Sequence, residues 1–144
     1  MFSKACEYGI RAMLYIAEQS QKDNRVNIKE ISSAIDSPEA FTAKVLQQLA
    51  RNGIVDSLKG PTGGFSIPKE RLSEIKLQDI VYAIDGDQIY RGCGLGLPEC
   101  NDERPCPVHH KFADVRDGLQ NMLETTTVKE LATGLNKGLT FLKR

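Results

Sequence analysis

The run Lys59-Gly60-Pro61-Thr62-Gly63-Gly64 constrains the fold of this chain more than any other stretch. Glycine and proline break both helices and paired strands. The β-type runs on either side, Ile54-Val55-Asp56-Ser57-Leu58 and Phe65-Ser66-Ile67, are therefore expected to meet as a hairpin with the glycines at its tip. A nucleotide-phosphate loop is excluded, because the Gly-Lys-Ser/Thr ending is missing and no helix opens after the glycines. What precedes the hairpin gives it meaning. Asn27-Ile28-Lys29-Glu30 has capping-box character and starts a short helix, roughly Ile28 to Ile35. Asp36-Ser37-Pro38-Glu39 is a turn into a second helix: Ser37 can cap, Pro38 suits the first helical position and Glu39 favours the positive end of the dipole. That helix runs to about Asn52, where Gly53 supplies a left-handed stop. Two short helices, a tight turn and a Gly-rich hairpin carrying a lysine make a winged helix-turn-helix.

The second helix is expected to bury Phe41, Val45 and Leu49. This leaves Ala40, Ala43, Lys44, Gln47 and Arg51 on the opposite side, with Thr42 near its start. Such a face suits a DNA groove: Lys and Arg neutralise phosphate, Gln reads adenine through two hydrogen bonds, and small residues let the backbone approach the bases. Lys59, Thr62 and Gly63 extend the face onto the wing. An ordinary solvated helix surface has the same composition. Nor does net charge decide the matter, since 19 Lys and Arg balance 19 Asp and Glu. DNA binding would have to come from a local patch, doubled by dimerisation.

The fold class expected is mainly α with a small β-wing, a winged helix-turn-helix domain followed by a long C-terminal dimerisation helix. The first helix reads from Ser3 to Glu18, with Cys6, Ile10, Met13 and Ala17 on one stripe and Glu7 spaced to pair with Arg11. Another covers about Leu77 to Ile84 and ends at Asp85-Gly86-Asp87. A longer one, about Pro107 to Leu123, carries Val108, Phe112, Val115, Leu119 and Met122 at spacings of four and three, a seam for a symmetric partner. Thr127-Val128-Lys129-Glu130 is a second capping box, opening a helix with Leu131 and Leu135, and the tail from Asn136 suits helix and strand equally. These elements divide the chain into a DNA-binding domain at 1–86, a cysteine-rich sensor loop at 87–106, and a dimerisation helix with tail at 107–144. No apolar run approaches about 20 residues, and Met1-Phe2-Ser3-Lys4 leads into a charged amphipathic pattern, so a soluble cytoplasmic protein with no membrane partner is expected.

Three of the four cysteines lie in the loop, spaced C-x6-C-x5-C-x2-H as Cys93, Cys100, Cys106 and His109. In a reducing compartment, clustered cysteines are more often ligands or redox sensors than disulfides. Thiolate and imidazole bind zinc or iron, so a Cys3His zinc site, an iron-sulfur cluster and a thiol switch all satisfy the spacing. The chain has no Ser/His/Asp constellation, His-Glu-x-x-His helix or Cys-x-x-Cys pair, and no enzymatic activity is expected.

Several stretches taken together resemble one family. They are Tyr8-Gly9-Ile10-Arg11-Ala12-Met13-Leu14, Arg51-Asn52-Gly53-Ile54-Val55, the wing through Phe65, Asp79-Ile80-Val81-Tyr82-Ala83-Ile84, and the loop ending in Cys106-Pro107-Val108-His109. The family is the Rrf2 group of bacterial winged-helix transcription regulators, and the similarity spans nearly the whole chain. The resemblance implies a homodimer on double-stranded DNA, most often a repressor, whose affinity depends on an iron-sulfur cluster sensing cluster status, redox or nitric oxide. A 2Fe–2S form is favoured over 4Fe–4S, and aerobic preparation can leave it absent. Cys93, Cys100 and Cys106 match the family's ligand positions, although the first gap here is six residues where five is usual. The fourth ligand varies: one type uses the residue matching His109, another an acidic residue of the first helix, matching Glu7, donated across the dimer. In the first turn of its helix His109 meets a dipole that disfavours imidazolium, which favours the metal-binding neutral ring.

Overall fold

The start of α1 (Lys4–Gln21) is set by Ser3, whose hydroxyl accepts the Cys6 N–H at 3.0 Å. In this computed structural model, which describes residues 1–144, the chain continues through α2 (Ile28–Ile35), α3 (Glu39–Arg51), β1 (Asp56–Leu58) and β2 (Gly64–Ser66). A 3-10 turn at Lys69–Arg71 leads to α4 (Leu77–Asp85), α5 (Gln88–Arg91), α6 (His109–Thr125) and α7 (Val128–Asn136). Mainly helical with one antiparallel two-stranded wing, this is the fold class expected. Asn27 caps α2 as anticipated, and Asp36 ends it in the left-handed conformation at φ 52°.

The third helix begins differently. Pro38 is its cap residue, and the Ser37 hydroxyl instead pairs with that of Thr42 at 2.6 Å, while Thr42 donates to the Pro38 carbonyl at 2.7 Å. With its hydroxyl satisfied, Thr42 is fully buried beside Val45, Leu46 and Leu49, and Phe41 turns outward to meet the Tyr8 ring edge-on at 5.6 Å. Val45 and Leu49 are buried as expected, while Thr42 takes the core position expected of Phe41.

In the wing Asp56 pairs with Ser66, Ser57 with Phe65 and Leu58 with Gly64. A Cβ on Gly63 would stand 2.1 Å from the Leu58 carbonyl oxygen, and one on Gly64, at φ 135°, would stand 2.4 Å from that of Val26. These two positions admit only glycine. Val26 exchanges both backbone hydrogen bonds with Phe65, at 3.1 and 2.7 Å, tying the wing to the entry of α2. The Ser20 hydroxyl accepts the Ile67 N–H at 3.0 Å and ties it to α1.

One core runs through these elements: Met13 and Ile16 of α1, Ile31 and Ile35 of α2, Leu46 and Leu49 of α3, and Ile80 and Val81 of α4 are fully buried. Leu123, Val128 and Ala132 belong to the same core. Thus α7 folds back onto α1, where Gln21 donates to the Thr133 hydroxyl at 3.3 Å, and the final segment shares its packing with residues 1–86. Thr127 closes the anticipated capping box with Glu130. A bridge between Lys76 and Thr127 joins the start of α4 to the start of α7, with Leu77 donating to Thr126 at 3.0 Å and Val128 to Ile75 at 2.9 Å. The tail beyond Asn136 is neither helix nor strand. No helix is long and apolar enough to cross a membrane.

Candidate nucleic-acid interface and cysteine loop

Along α3, Ala40, Lys44, Gln47 and Arg51 are exposed and Ala43 is half-buried, as a groove-reading face requires. On the wing Lys59 and Thr62 are exposed and Gly63 is half-buried. Thr42 is corrected: a buried side chain with both hydroxyl bonds used inside the protein has nothing to offer a base. Lys44, Arg51 and Lys59 take part in no ion pair, so their charge is free for phosphate. The corner between α2 and α3 is held by Arg11, which donates to the Ile35 carbonyl at 2.9 Å with its guanidinium 5.0 Å above the Tyr8 ring. The expected Glu7–Arg11 pair is therefore not made. Glu7 pairs instead with Lys4 at 3.1 Å, and none of its bonds reaches the cysteine loop of the same protomer.

The loop between α5 and α6 gives Cys93 and Cys100 different partners, a backbone N–H for one and an imidazole for the other. The N–H groups of Leu95 and Leu97 hold the Cys93 thiol below its ordinary pKa, with smaller help from the Cys106 thiol and the Gly96 N–H and against the effect of burial. The Leu95 N–H lies 3.4 Å from the Cys93 sulfur. Cys100 Sγ lies 3.4 Å from Nδ1 of His109, a ring only 6% exposed whose Nε2 pairs with the Asp102 carboxylate. Cys93 and Cys100 border one cleft of about 610 Å³, with Asp102 and Arg116 at its edge. Arg116 donates to the Gly92 carbonyl at 2.9 Å, and the Phe112 ring lies where a Cβ on Gly94 would be, 2.6 Å away, so the start of the loop is seated on α6.

No three His, Cys, Asp or Glu side chains converge on a point that could hold a single metal ion. Cys100 and His109 stand as one neighbouring pair, and Cys93 and Cys100 border a space larger than one ion. Chemically the set suits an iron-sulfur cluster, whose irons take thiolate and imidazole. Cys6 lies elsewhere, fully buried, beside Asp85, which also accepts the N–H and hydroxyl of Ser3. Burial, then the Asp85 carboxylate, pushes the Cys6 thiol up to about 12, which fits a structural thiol. This clamp between the ends of α1 and α4 left no mark in the sequence beyond one apolar stripe.

Of the expected seam, Val108, Phe112, Val115 and Met122 are exposed, Val115 by 60%, while Leu119 is half-buried against the core. An apolar strip of this kind along one helix is what a second copy would cover.

A recognition helix with free cations, flanked by a wing carrying another and built on a helical core, defines a winged-helix DNA-binding protein. A family model described as Rrf2, iron-dependent transcriptional regulator, matches residues 2–134, and the chain belongs to that family. A candidate HTH-type transcriptional regulator of Aquifex aeolicus is 35% identical over 133 residues, covering 91% of this chain and 90% of its own. The HTH-type transcriptional regulator IscR of Photorhabdus laumondii is 28% identical over 124 residues, covering 86% of this chain and 74% of its own. Among solved structures, CymR, the global cysteine regulator of B. subtilis, superposes with a TM-score of 0.73 at 20% identity over 92% of this chain and 96% of its own.

Proposed function

We propose that the protein is a homodimeric repressor that reads double-stranded DNA through α3 and the wing, with its affinity set by an iron-sulfur cluster on Cys93, Cys100, Cys106 and His109. The observation that carries this is the placing of Cys100 against His109 at the foot of α6, beside the cleft that Cys93 borders. His109 is favoured over Glu7, which lies on α1 paired with Lys4 and could serve only the partner's loop. When bound, the cluster would supply a centre that changes on oxidation, nitrosylation or loss. The chain's own residues make such a change matter. Arg116 and Phe112 tie the loop to α6, and the exposed apolar strip of α6 is the surface through which two copies set the spacing of two recognition helices. A small change of spacing then costs contacts in both half-sites. Anaerobic purification tests the reading: a brown protein whose visible absorption is lost on Cys100→Ala supports it, and a colourless protein holding stoichiometric zinc overturns it.

A second reading, a thiol switch without iron, is favoured by the Cys93 thiol, which the Leu95 and Leu97 N–H groups hold below its ordinary pKa. Mild oxidation of the iron-free protein, followed by disulfide mapping and a DNA titration, distinguishes the two. A Cys93–Cys106 disulfide that alters DNA affinity supports the switch.

A further inference from the structure

We infer that Asp102 is a positioning residue for the cysteine site: its carboxylate takes the Nε2 proton of His109 in a hydrogen bond and turns the ring so that Nδ1 faces the space beside Cys100. This role rests on the cluster reading above. It begins with a local turn. The Asn101 side-chain oxygen accepts the N–H groups of Glu103 at 2.8 Å and Arg104 at 3.1 Å, and its amide donates to Glu99 at 3.2 Å. An Asx turn of this kind fixes the backbone of the Cys100–Cys106 segment and the direction in which Asp102 leaves it. Although the Asp102 side chain is 90% exposed, its carboxylate reaches the 5% exposed side chain of His109.

The chemistry of the pair fixes the tautomer. An ionised carboxylate only accepts, so the nitrogen facing it must carry hydrogen, and a neutral ring then has its lone pair on the other nitrogen. That nitrogen is Nδ1, 3.4 Å from the Cys100 sulfur. The ring has little freedom to turn: its backbone N–H bonds the Cys106 carbonyl at 3.0 Å, and the His110 ring abuts it edge-on at 4.9 Å. A ligating histidine commonly has its second nitrogen held by a carboxylate in this way, and loss of such a partner costs about ten- to a hundredfold in metal affinity.

Asp102→Ala lies on an exposed turn, so the variant tests the contact and not folding. In the apoprotein, a slowly exchanging His109 Nε2–H resonance is expected in the wild type and should vanish in Asp102→Ala. In the anaerobically loaded protein, Asp102→Ala and His109→Ala should each lose iron to a chelator about tenfold faster than wild type or more, with the same altered visible circular dichroism. The double variant should lose it no faster than His109→Ala alone. Wild-type loading with Asp102→Ala indistinguishable from it in retention and spectrum overturns the positioning role alone. A wild-type protein that shows the Nε2–H resonance and takes up no cluster overturns the cluster reading and, with it, this role.

Discussion

The salt dependence of DNA binding tests the proposed docking most directly, because the relevant cations are countable. Arg51 and Lys59 are exposed, and neither has a carboxylate partner. Each is therefore expected to meet a phosphate, and each occurs twice in a dimer. With a slope of about −0.9 in log K against log salt per phosphate, Lys59→Ala should flatten the slope by about 1.8, and Arg51→Ala by a similar amount. Between about 50 and 200 mM salt, a slope difference of that size shrinks the deficit of the variant about tenfold. The contacts are independent of base sequence, so fluorescence anisotropy with a mixed-sequence duplex suffices. Lys22→Ala, which removes a lysine already 3.7 Å from Glu18, is the control and should leave the slope unchanged. If both variants keep the wild-type slope while remaining folded and dimeric, α3 and the wing do not face the phosphates, and the docking is wrong.

Other outcomes follow from single contacts. Ser20→Ala leaves the buried Ile67 N–H without a partner and should cost about 1–3 kcal/mol, read as a fall in Tm of about 3 °C or more; an unchanged Tm would show that another group accepts that N–H. Val115→Glu places a charge in the apolar strip of α6, and sedimentation should find a folded monomer; a persistent dimer would place the interface elsewhere. The Cys6 thiol is pushed from 9.0 to about 12, so between those values the unfolded chain gives up a proton that the folded chain keeps. Its contribution to stability is full below pH 9.0 and is lost as pH rises toward about 12. Denaturant titrations of Cys6→Ser should decline less steeply over that window than those of wild type, and equal slopes would refute the assignment.

Where local chemistry sets the structure, the sequence could be read. Helix α2 runs from Ile28 to Ile35 as its cap indicated, the wing turns at its glycines, and Thr127 opens α7. Competition between local and distant partners hid the rest. Counting apolar residues placed Phe41 inside, whereas Thr42 can go there because the Pro38 carbonyl is at hand. The spacing of Glu7 and Arg11 suits an ion pair, but the carbonyl of Ile35, distant in sequence, takes Arg11 and Lys4 takes Glu7. The short helix α5, braced by Asp87 and Arg91 at 2.8 Å, has too few residues for periodicity to register. In the loop the donor types could be listed from spacing, while the meeting of Cys100 with His109, and of His109 with Asp102, depends on how Asn101 bends the backbone.

The bridge between Lys76 and Thr127 also gives α6 the mechanics of a lever. The helix is fixed near one end, where Leu123 is fully buried and Thr126 is bonded to Leu77, and it carries His109 and the seat of the cysteine loop at the other. Its 17 residues make an arm of about 25 Å, so a tilt of about 10° at the fulcrum moves His109 by about 4 Å. Packing around Leu123 and Val128 sets the stiffness of that fulcrum. Substitutions there should change how far that end of α6 moves, leaving both the cysteines and the exposed cations of α3 and the wing untouched.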